Sequence, residues 1–335
     1  MEPKDVEPND AVERSDATWT PDGYERLRRL GTGRTSVVYL ARHPRFGEVA
    51  LKLPRAGLQG DPSFRRMFET EVVLTLRFDH PHVVRGLDGH PTGAGAYLAL
   101  EYCAGGTLDQ HLLERGRLKV ARALEIVEQI ATGLAHVHAR RVLHRDVKPA
   151  NVFLDAAGHA KLGDFGTGAP IGETGDARVG TAFYMAPELF EGQPATVRSD
   201  VYALGVATFE VVTGERPFQG DDYDALMHAH TSGVLRDPRA VREGVPDGLA
   251  ELVRRAMART ADARFEDVEG FLAALRAAAG RPGAAADAPR YGRASRRRAA
   301  AEDGAKADRA ADAEDVSAAS EGRRPWWRRG PTRES

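Results

Sequence analysis

Apolar residues recur at helical spacing between residues 119 and 139, just before the most distinctive polar motif of the chain. Intervals of three and four residues gather apolar side chains on one face of a helix. The stripe consists of Val120, Ala123, Leu124, Val127, Ile130, Ala131, Leu134, Ala135 and Val137. This pattern predicts a core helix that delivers the chain to His144.

A second helix is predicted to begin at Ser199 and to run through Glu210, with apolar residues on nearly every side. Ser199 and Asp200 suit the start of a helix, where a hydroxyl can cap and an acid is favourable. A helix without a polar face must lie at the centre of a large core. Other helices are predicted at residues 62–78, from Thr107, and at residues 221–231, 249–257 and 268–278.

Strand patterns dominate the first third of the chain. Residues 24–30 and 31–42 are predicted to form two strands joined by a glycine-bearing turn, and residues 48–53 a third. Residues 97–103 form a buried strand pattern that runs into Ala104-Gly105-Gly106, a predicted flexible connection between two parts of the domain. A later short hairpin is predicted from residues 152–155 and 160–166.

Composition limits the class of protein. Of the 335 residues, 42% are apolar, which is enough for a substantial core. No uncharged apolar run of eighteen residues appears, and acidic residues follow Met1, so we expect a cytoplasmic protein without a transmembrane segment. The formal net charge of −2 gives no reason to expect nucleic-acid binding by the whole chain.

Both ends of the chain lack apolar periodicity. Residues 1–19 are predicted to be a disordered acidic leader, and residues 281–335 a disordered tail rich in Ala and Arg. The tail contains Arg296-Arg297-Arg298 and the segment Arg323-Arg324-Pro325-Trp326-Trp327-Arg328-Arg329. These clusters suit contact with anionic lipid, nucleic acid or an acidic partner, but a solvated tail is the simpler interpretation.

The motif His144-Arg145-Asp146-Val147-Lys148-Pro149-Ala150-Asn151 carries the candidate chemistry. Because Pro149 forbids a continuous helix, Asp146, Lys148 and Asn151 can converge from a loop. Phosphoryl transfer needs a carboxylate for the acceptor hydroxyl, a cation for the moving phosphoryl group and oxygen ligands for Mg²⁺. The motif therefore favours phosphoryl transfer over an ordinary polar loop.

The hairpin after this motif ends in Gly163-Asp164-Phe165-Gly166. It is predicted to return Asp164 to the neighbourhood of Asp146 and Asn151, with an abrupt turn at Gly166. Two carboxylates close together are costly without a cation, so their pairing itself indicates a metal.

The glycine-bearing turn is a candidate phosphate-binding element. Gly31 and Gly33 allow close approach of the backbone to phosphates, Val38 can cover a base, and Ser36 stands where a third glycine would complete the stronger pattern. An ordinary hairpin turn is the alternative.

Lys52 alternates with Leu51 and Leu53 and needs an acidic partner among apolar neighbours. The helix at residues 62–78 offers Glu69 and Glu71, of which Glu71 is preferred; a solvated carboxylate is the alternative for either. The single cysteine, Cys103, excludes an internal disulfide and is interpreted as a small apolar residue rather than a reactive thiol.

From Tyr24 to Ala278 these motifs, in this order, resemble a eukaryotic-type (Hanks-type) serine/threonine protein kinase. The resemblance implies an α+β, bilobal kinase-like fold. It would have a small, mainly antiparallel β N-lobe with one key helix at about residues 20–103, and a larger, mainly helical C-lobe at about residues 104–280.

The resemblance also implies cofactors and residue roles. ATP would bind with Mg²⁺, or alternatively Mn²⁺. Asp146 would be the catalytic base and Lys148 would contact the γ-phosphate, while Asn151 and Asp164 would hold the metal. The nucleotide-binding set would be Leu30, Gly31, Gly33, Ser36, Val38, Lys52, Glu71, Glu101 and Cys103, with Lys52 on the α- and β-phosphates and the backbone of Glu101 and Cys103 on adenine.

Further roles follow from the same resemblance. Asp200 would brace the catalytic loop, Glu188 would pair with Arg264, and Thr181 with Lys148 points to the serine/threonine branch. Residues 167–180 are predicted to be a mobile loop, in which phosphorylated Thr174 would pair with Arg145. The expected partners are protein substrates and, for autophosphorylation, a second copy of the chain.

Two residues depart from the family pattern. Ser36 removes some backbone freedom above the phosphates, and Thr75 replaces an apolar side chain expected to stack towards Phe165 and His144. The alternatives from other functional classes are a pseudokinase, which is disfavoured because Lys52 and Asp146 are present, and a small-molecule kinase, which is disfavoured by the Ala186-Pro187-Glu188 segment.

Overall fold

The computed structural model describes residues 19–33, 35–55, 61–170 and 182–280. The tail and the leader up to residue 18 lie outside the described residues, as do Thr174 and Thr181. Trp19 is described, and its ring lies 6.4 Å from that of Tyr97, measured between centroids.

The first part of the described chain is an antiparallel sheet with the strand order β1-β2-β3-β5-β4. Its strands are β1 (Glu25–Thr32), β2 (Ser36–His43), β3 (Gly47–Pro54), β4 (Gly86–His90) and β5 (Tyr97–Glu101). In register, Val38 and Leu98 both lie opposite Lys52. Leu51 and Leu53 belong to an apolar cluster with Val49, so the predicted alternation around Lys52 is confirmed.

Helix α1 (Pro62–Thr75) packs against this sheet and ends three residues before the predicted limit of 78. The Asp61 carboxylate caps it by accepting a hydrogen bond from the Ser63 N–H at 2.8 Å, and Pro62 fits the first turn, where an N–H would have no partner. Phe64, Phe68 and Val72 pack with Ala96 and Leu98, which fixes the helix to the sheet.

The second part of the chain is mainly helical. Its helices are α2 (Leu108–Arg115), α3 (Val120–Ala139), α4 (Pro187–Phe190), α5 (Val197–Thr213), α6 (Tyr223–Ser232), α7 (Pro238–Val241), α8 (Asp247–Ala256) and α9 (Val268–Ala278). The largest apolar core joins α3, α5, α8 and α9. The core role predicted for residues 119–139 is confirmed.

Helix α5 is the centre of this core, since every residue from Ser199 to Thr213 is buried. Its start was predicted wrongly: the helix begins at Val197, not at Ser199. The Ser199 hydroxyl instead accepts a hydrogen bond from the Thr196 N–H at 3.0 Å, one half of a capping box.

Gly105 and Gly106 join the two parts and are held in place. The Gly105 N–H donates to the Leu154 carbonyl and the Leu154 N–H to the Gly106 carbonyl, both at 2.9 Å. A Cβ on Gly105 would lie 2.8 Å from Leu154 atoms. Glycine at position 105 therefore permits the backbone to approach Leu154 closely. Because hydrogen bonds hold this connection in place, the prediction of a flexible connection is corrected.

Short strands frame the polar motif. The predicted hairpin forms from β7 (Val152–Leu154) and β8 (Ala160–Leu162), whereas β6 (Val142–Leu143) pairs with β9 (Ala169–Pro170). The sequence patterns missed β4, β6 and β9 and the one-turn helices α4 and α7. Across the described ranges, no helix is long and apolar enough to cross a membrane.

Candidate active site

Asp200 of α5 holds the loop after β6 in place. The Asp200 carboxylate accepts hydrogen bonds from the backbone N–H groups of His144 and Arg145, each at 2.8 Å, and lies 2.8 Å from His138 Nε2. Burial by itself raises the pKa of Asp200, but the His138 and His144 contacts outweigh it and lower that pKa. A buried carboxylate thus ties the loop to the core helix.

Asp146 lies at the centre of this loop. Lys148 Nζ is 2.7 Å from its carboxylate, and the Asn151 side-chain amide donates to the same carboxylate at 2.9 Å and to the Asp146 carbonyl at 2.8 Å. Pro149–Asn151 form one turn of 3₁₀-helix rather than a continuation of an α-helix. The predicted convergence of Asp146, Lys148 and Asn151 is confirmed.

Asp164 follows β8 and is tied to both sides of the site. The preceding Gly163 N–H donates to the Asn151 carbonyl at 2.9 Å, and the Asp164 carboxylate lies 3.7 Å from Lys52 Nζ. The Lys52 charge lowers the pKa of Asp164. The chain turns at Gly166 as predicted, where the Gly168 N–H donates to the Phe165 carbonyl at 2.9 Å, and Asp164 has a left-handed backbone with φ of 64°.

Lys52 pairs with Glu71 of α1 at 2.5 Å; the Glu71 side chain is buried and the Lys52 side chain is 13% exposed. Glu69 is exposed, so the structure selects Glu71 between the two candidates. Burial raises the pKa of Glu71 to about 6 against the opposing effect of Lys52. For Lys52, burial acts to lower the pKa, but the carboxylates of Asp164 and Glu71 outweigh it and raise that pKa, so the ammonium stays charged.

A cleft of about 500 Å³ opens beside these groups. All nine residues predicted to bind the nucleotide line it: Leu30, Gly31, Gly33, Ser36, Val38, Lys52, Glu71, Glu101 and Cys103. Asp164 lines it as well. Ala50, Val84, Leu100 and Phe153 add apolar walls that sequence reasoning missed. The sequence could have identified Ala50, because Ala50 lies two residues from Lys52 and therefore on the same face of β3.

The glycine-bearing turn leaves open space above the cleft. A Cβ on Gly31 would meet no atom within 4 Å, and one on Gly33 would lie 3.5 Å from the Ser36 carbonyl oxygen. The Gly33 N–H donates to that carbonyl at 2.8 Å, which shapes the turn, and Ser36 is buried at the start of β2. The arrangement suits a phosphate-covering loop.

The connection at Glu101 and Cys103 forms another wall of the cleft. The Glu101 carboxylate accepts hydrogen bonds from Lys161 Nζ at 3.0 Å and from the Arg85 N–H at 2.8 Å. Burial raises the pKa of the Cys103 thiol to about 12, which agrees with a small apolar residue rather than a reactive thiolate.

Phe165 joins the cleft to the helices. Its ring centroid lies 4.9 Å from that of His144 and 4.7 Å from that of Phe78, and it shares an apolar cluster with Leu74. Thr75 is buried and lines the cleft. The apolar contacts with Phe165 thus come from the residue before Thr75 and from the turn after α1.

Glu188 and Arg264 form the predicted ion pair across 76 residues of sequence. Two hydrogen bonds of 2.8 and 2.6 Å join the guanidinium to the carboxylate, and the Arg264 side chain is fully buried. This geometry anchors the segment at Glu188 to the last part of the domain.

The two-part fold and this cleft define a protein kinase. The chain belongs to the protein kinase domain family, whose model matches residues 24–266. Membership of this family implies ATP and a divalent metal as cofactors.

Named relatives agree with this assignment. The chain is 32% identical over 260 residues to the serine/threonine-protein kinase PrkC of Bacillus subtilis, an alignment of 76% of this chain and 40% of the relative. It is 36% identical over 256 residues to the serine/threonine-protein kinase PknB of Mycobacterium tuberculosis, covering 73% and 41%. For the serine/threonine-protein kinase PknH of Mycobacterium bovis the identity is 36% over 248 residues, covering 72% and 41%. The chain thus matches about two fifths of each relative.

Proposed function

We propose that this chain is an ATP-dependent serine/threonine protein kinase. The observation that carries the proposal is the connection of two charged groups. Lys52, Glu71 and Asp164 line one cleft. The hydrogen bond from the Gly163 N–H to the Asn151 carbonyl ties Asp164 to the loop in which Asp146, Lys148 and Asn151 converge. Phosphoryl transfer depends mainly on positioning and on electrostatic stabilisation, which these two groups supply.

The nucleotide would lie between the sheet and the helical part. Val38 and Ala50 would cover the adenine, and the backbone of Glu101 and Cys103 would meet its edge. The wall above the phosphates would consist of Leu30, Gly31, Gly33 and Ser36. The open space at Gly31 leaves room for the backbone to approach a phosphate closely. Lys52, kept charged by Glu71, would bind the α- and β-phosphates.

The donor set fits Mg²⁺. Asp164 offers a carboxylate that is 44% exposed, and the Asn151 amide nitrogen is engaged by Asp146, so its carbonyl oxygen is the atom presented to a cation. No group of three His, Cys, Asp or Glu side chains forms a metal cage in the described parts of the chain. That agrees with Mg²⁺, which is bound by few protein ligands together with phosphates and water. When bound, the ion would neutralise phosphate charge; Mn²⁺ has the same preference for oxygen.

Asp146 would act as the catalytic base. Its carboxylate would orient the acceptor hydroxyl and take its proton as the oxygen attacks the γ-phosphorus. The bond between the γ-phosphorus and the bridging oxygen then breaks, and ADP leaves with that oxygen. Lys148, 2.7 Å from the same carboxylate, would stabilise the negative charge of the transferred group.

The acceptors would be serine and threonine hydroxyls of proteins. Lys148 two residues after Asp146 and the names of the relatives support this choice. Autophosphorylation would require a second copy of the chain, and Thr174 is the candidate position within the undescribed loop.

The test compares the wild-type chain with Asp146→Asn and with Asp79→Asn as a matched control, since the Asp79 carboxylate is 87% exposed. Labelled ATP, Mg²⁺ and a generic basic protein are supplied, and phosphoamino acids are analysed. We expect Asp146→Asn to lose about 10²- to 10⁴-fold in kcat without a change in nucleotide affinity. Label on tyrosine, or equal activity in Asp146→Asn, would contradict the proposal.

A further inference from the structure

Arg216 lies outside the nucleotide cleft, beside the short turn formed by Ala182–Tyr184. Its guanidinium carbon is 4.1 Å from the centre of the Phe183 ring, and its Nε donates a hydrogen bond to the Glu210 carboxylate at 3.3 Å. The same carboxylate accepts a hydrogen bond from the Tyr184 hydroxyl. These contacts fix Arg216 against the turn.

The turn is close to the candidate catalytic base. Tyr184 and Asp146 line the same small cavity of about 20 Å³. In the proposed mechanism the hydroxyl that receives the phosphoryl group is held at Asp146, so the residues that flank this hydroxyl in a protein substrate come within reach of the turn. Arg216 can thus contact a substrate without taking part in the chemistry.

The Glu210 carboxylate is satisfied within the protein. Its side chain is only 10% exposed. Burial raises the pKa of Glu210 and the charge of Asp109 on α2 adds to the rise, whereas the Tyr184 hydroxyl and Arg216 oppose it. A basic side chain of a substrate would have to displace Arg216 in order to pair with Glu210.

The terminal nitrogens of Arg216, by contrast, are open to a ligand. A guanidinium carries donors on every nitrogen, and only Nε of Arg216 forms a hydrogen bond within the described part of the chain. The neighbouring Glu215 does not neutralise it, since that carboxylate lies 2.8 Å from Arg117 and 3.1 Å from Arg236. The Arg216 side chain is 37% exposed. The turn therefore presents a cation with unused donors.

Such a cation selects an acidic partner. A guanidinium binds a carboxylate through two parallel hydrogen bonds, and its stacking on an aromatic ring fixes the plane in which they form. We propose that Arg216 determines specificity: it selects protein substrates with an aspartate or glutamate near the phosphorylated hydroxyl and disfavours a lysine or arginine at the same position. This inference names the substrate class of the proposed kinase site, and so it rests on the proposed function.

The test uses the full chain and peptides that share one threonine acceptor. Each of about four positions on either side of the threonine is set in turn to glutamate, alanine or lysine in an otherwise neutral sequence, and kcat and KM are measured. We expect one position at which the wild type prefers glutamate to lysine by about fivefold in kcat/KM, as a partly exposed ion pair would give. The difference should lie in KM, since Arg216 is not placed at the transferred group.

Two variants of Arg216 and a matched control separate this role from a structural one. Arg216→Gln removes the charge and should bring the ratio of the two peptides to about one. Arg216→Met also leaves Glu210 without its cation, so the ratio should reverse in favour of lysine. Arg255→Met should keep the wild-type ratio, because Arg255 lies over the Phe265 ring at 4.3 Å in the same way but on the exposed surface of α8.

The ratio does not depend on how much of each variant is folded, because both peptides are measured with the same enzyme. Equal use of the glutamate and lysine peptides by the wild type, a preference for lysine, or an unchanged glutamate preference in Arg216→Gln would overturn the inference alone. Phosphorylation of none of the peptides would overturn the proposed function, and the inference with it.

Discussion

Arg145 and Asp164 adopt left-handed backbone conformations, with φ of 66° and 64°, although neither is glycine. Such conformations cost about 1 kcal/mol or more and persist where surrounding contacts enforce them. The Arg145 N–H is held by Asp200 at 2.8 Å, and the Asp164 carboxylate lies near Lys52. Asp164 lines the cleft and Arg145 directly precedes Asp146, so both strained residues lie next to candidate catalytic groups.

Residue-scale predictions succeeded where chemistry restricted the choice. A lysine on an apolar strand required a carboxylate, and Glu71 provides it at 2.5 Å. The turn after β8 was assigned to Gly166 because glycine is the usual residue for a sharp turn. The structure has this turn, closed by the hydrogen bond from the Gly168 N–H to the Phe165 carbonyl. The left-handed backbone at Asp164 was not predicted, because the contacts that enforce it, with Lys52 and next to Asn151, come from residues distant in sequence.

The buried His230 should make the free energy of unfolding sensitive to acid. Burial lowers its pKa to about 4, below the ordinary 6.5, so the folded state keeps the imidazole neutral. Its contribution to stability is complete above pH 6.5, decreases as the pH falls, and is lost below about 4; the difference is worth about 3 kcal/mol. His230→Gln should remove this share of the pH dependence.

Chemical denaturation of both proteins at pH 7 and pH 4 provides the measurement. The difference between wild type and His230→Gln should shrink by about 3 kcal/mol at the lower pH. His228→Gln is the control, because His228 is exposed on the same helix. An identical pH dependence for wild type and His230→Gln would contradict the assignment.

At the scale of elements, the loop of Asp146 is positioned by helices that are far from it in sequence. Helix α3 supplies His138 and α5 supplies Asp200, and the two side chains meet at 2.8 Å. The apolar stripe of α3 and the all-round burial of α5 were both readable from the sequence because they follow helical periodicity. The start of α5 was not, because Thr196 and Ser199 are both good capping residues.

Gly133 lies where α3 packs closely against the backbone of His82. A Cβ at this position would overlap the His82 carbonyl oxygen. Alanine stabilises a helix by about 1 kcal/mol relative to glycine, but here the cost of the overlap should exceed this gain. We expect Gly133→Ala to lower the free energy of unfolding by about 1–3 kcal/mol, measured by denaturant titration.

Gly270→Ala in α9 is the matched control for this substitution. A Cβ there would lie 3.4 Å from its nearest neighbour, which is ordinary contact. The free energy of unfolding of this variant should rise by about 0.5–1 kcal/mol. If both alanine variants are stabilised, the close approach of α3 to the residue 82 carbonyl is refuted.

At the scale of the whole domain, the sheet and the helical part are joined by an ion pair beside the cleft. Lys161 of β8 reaches Glu101 of β5 at 3.0 Å, and their side chains are 13% and 27% exposed. Glu101 is also the residue whose backbone we expect at the adenine edge. We therefore expect the pair to couple the geometry of the connection to nucleotide binding.

Lys161→Met should weaken nucleotide binding about fivefold, which corresponds to about 1 kcal/mol, because Glu101 loses its cationic partner. The turnover number at saturating ATP should not change, since Lys161 is not placed at the phosphates. Titration calorimetry with a nucleotide analogue gives the affinity. Lys161→Arg keeps the charge and should bind within twofold of wild type; a loss of similar size in both variants would argue against the ion pair as the cause.

The sequence by itself determined the periodic elements, the family and the residues that converge on the cleft, because hydrophobic periodicity and short-range motifs act locally. Residues 144–151 and 163–166 are each a few residues long, and their chemistry depends on residue type and spacing. Only the tertiary structure decided the left-handed backbone at Asp164, the role of Gly105 and the close approach of Gly133 to the His82 carbonyl. Each of these depends on atoms brought together from distant parts of the chain, whose proximity is set by packing and is not encoded in any single segment.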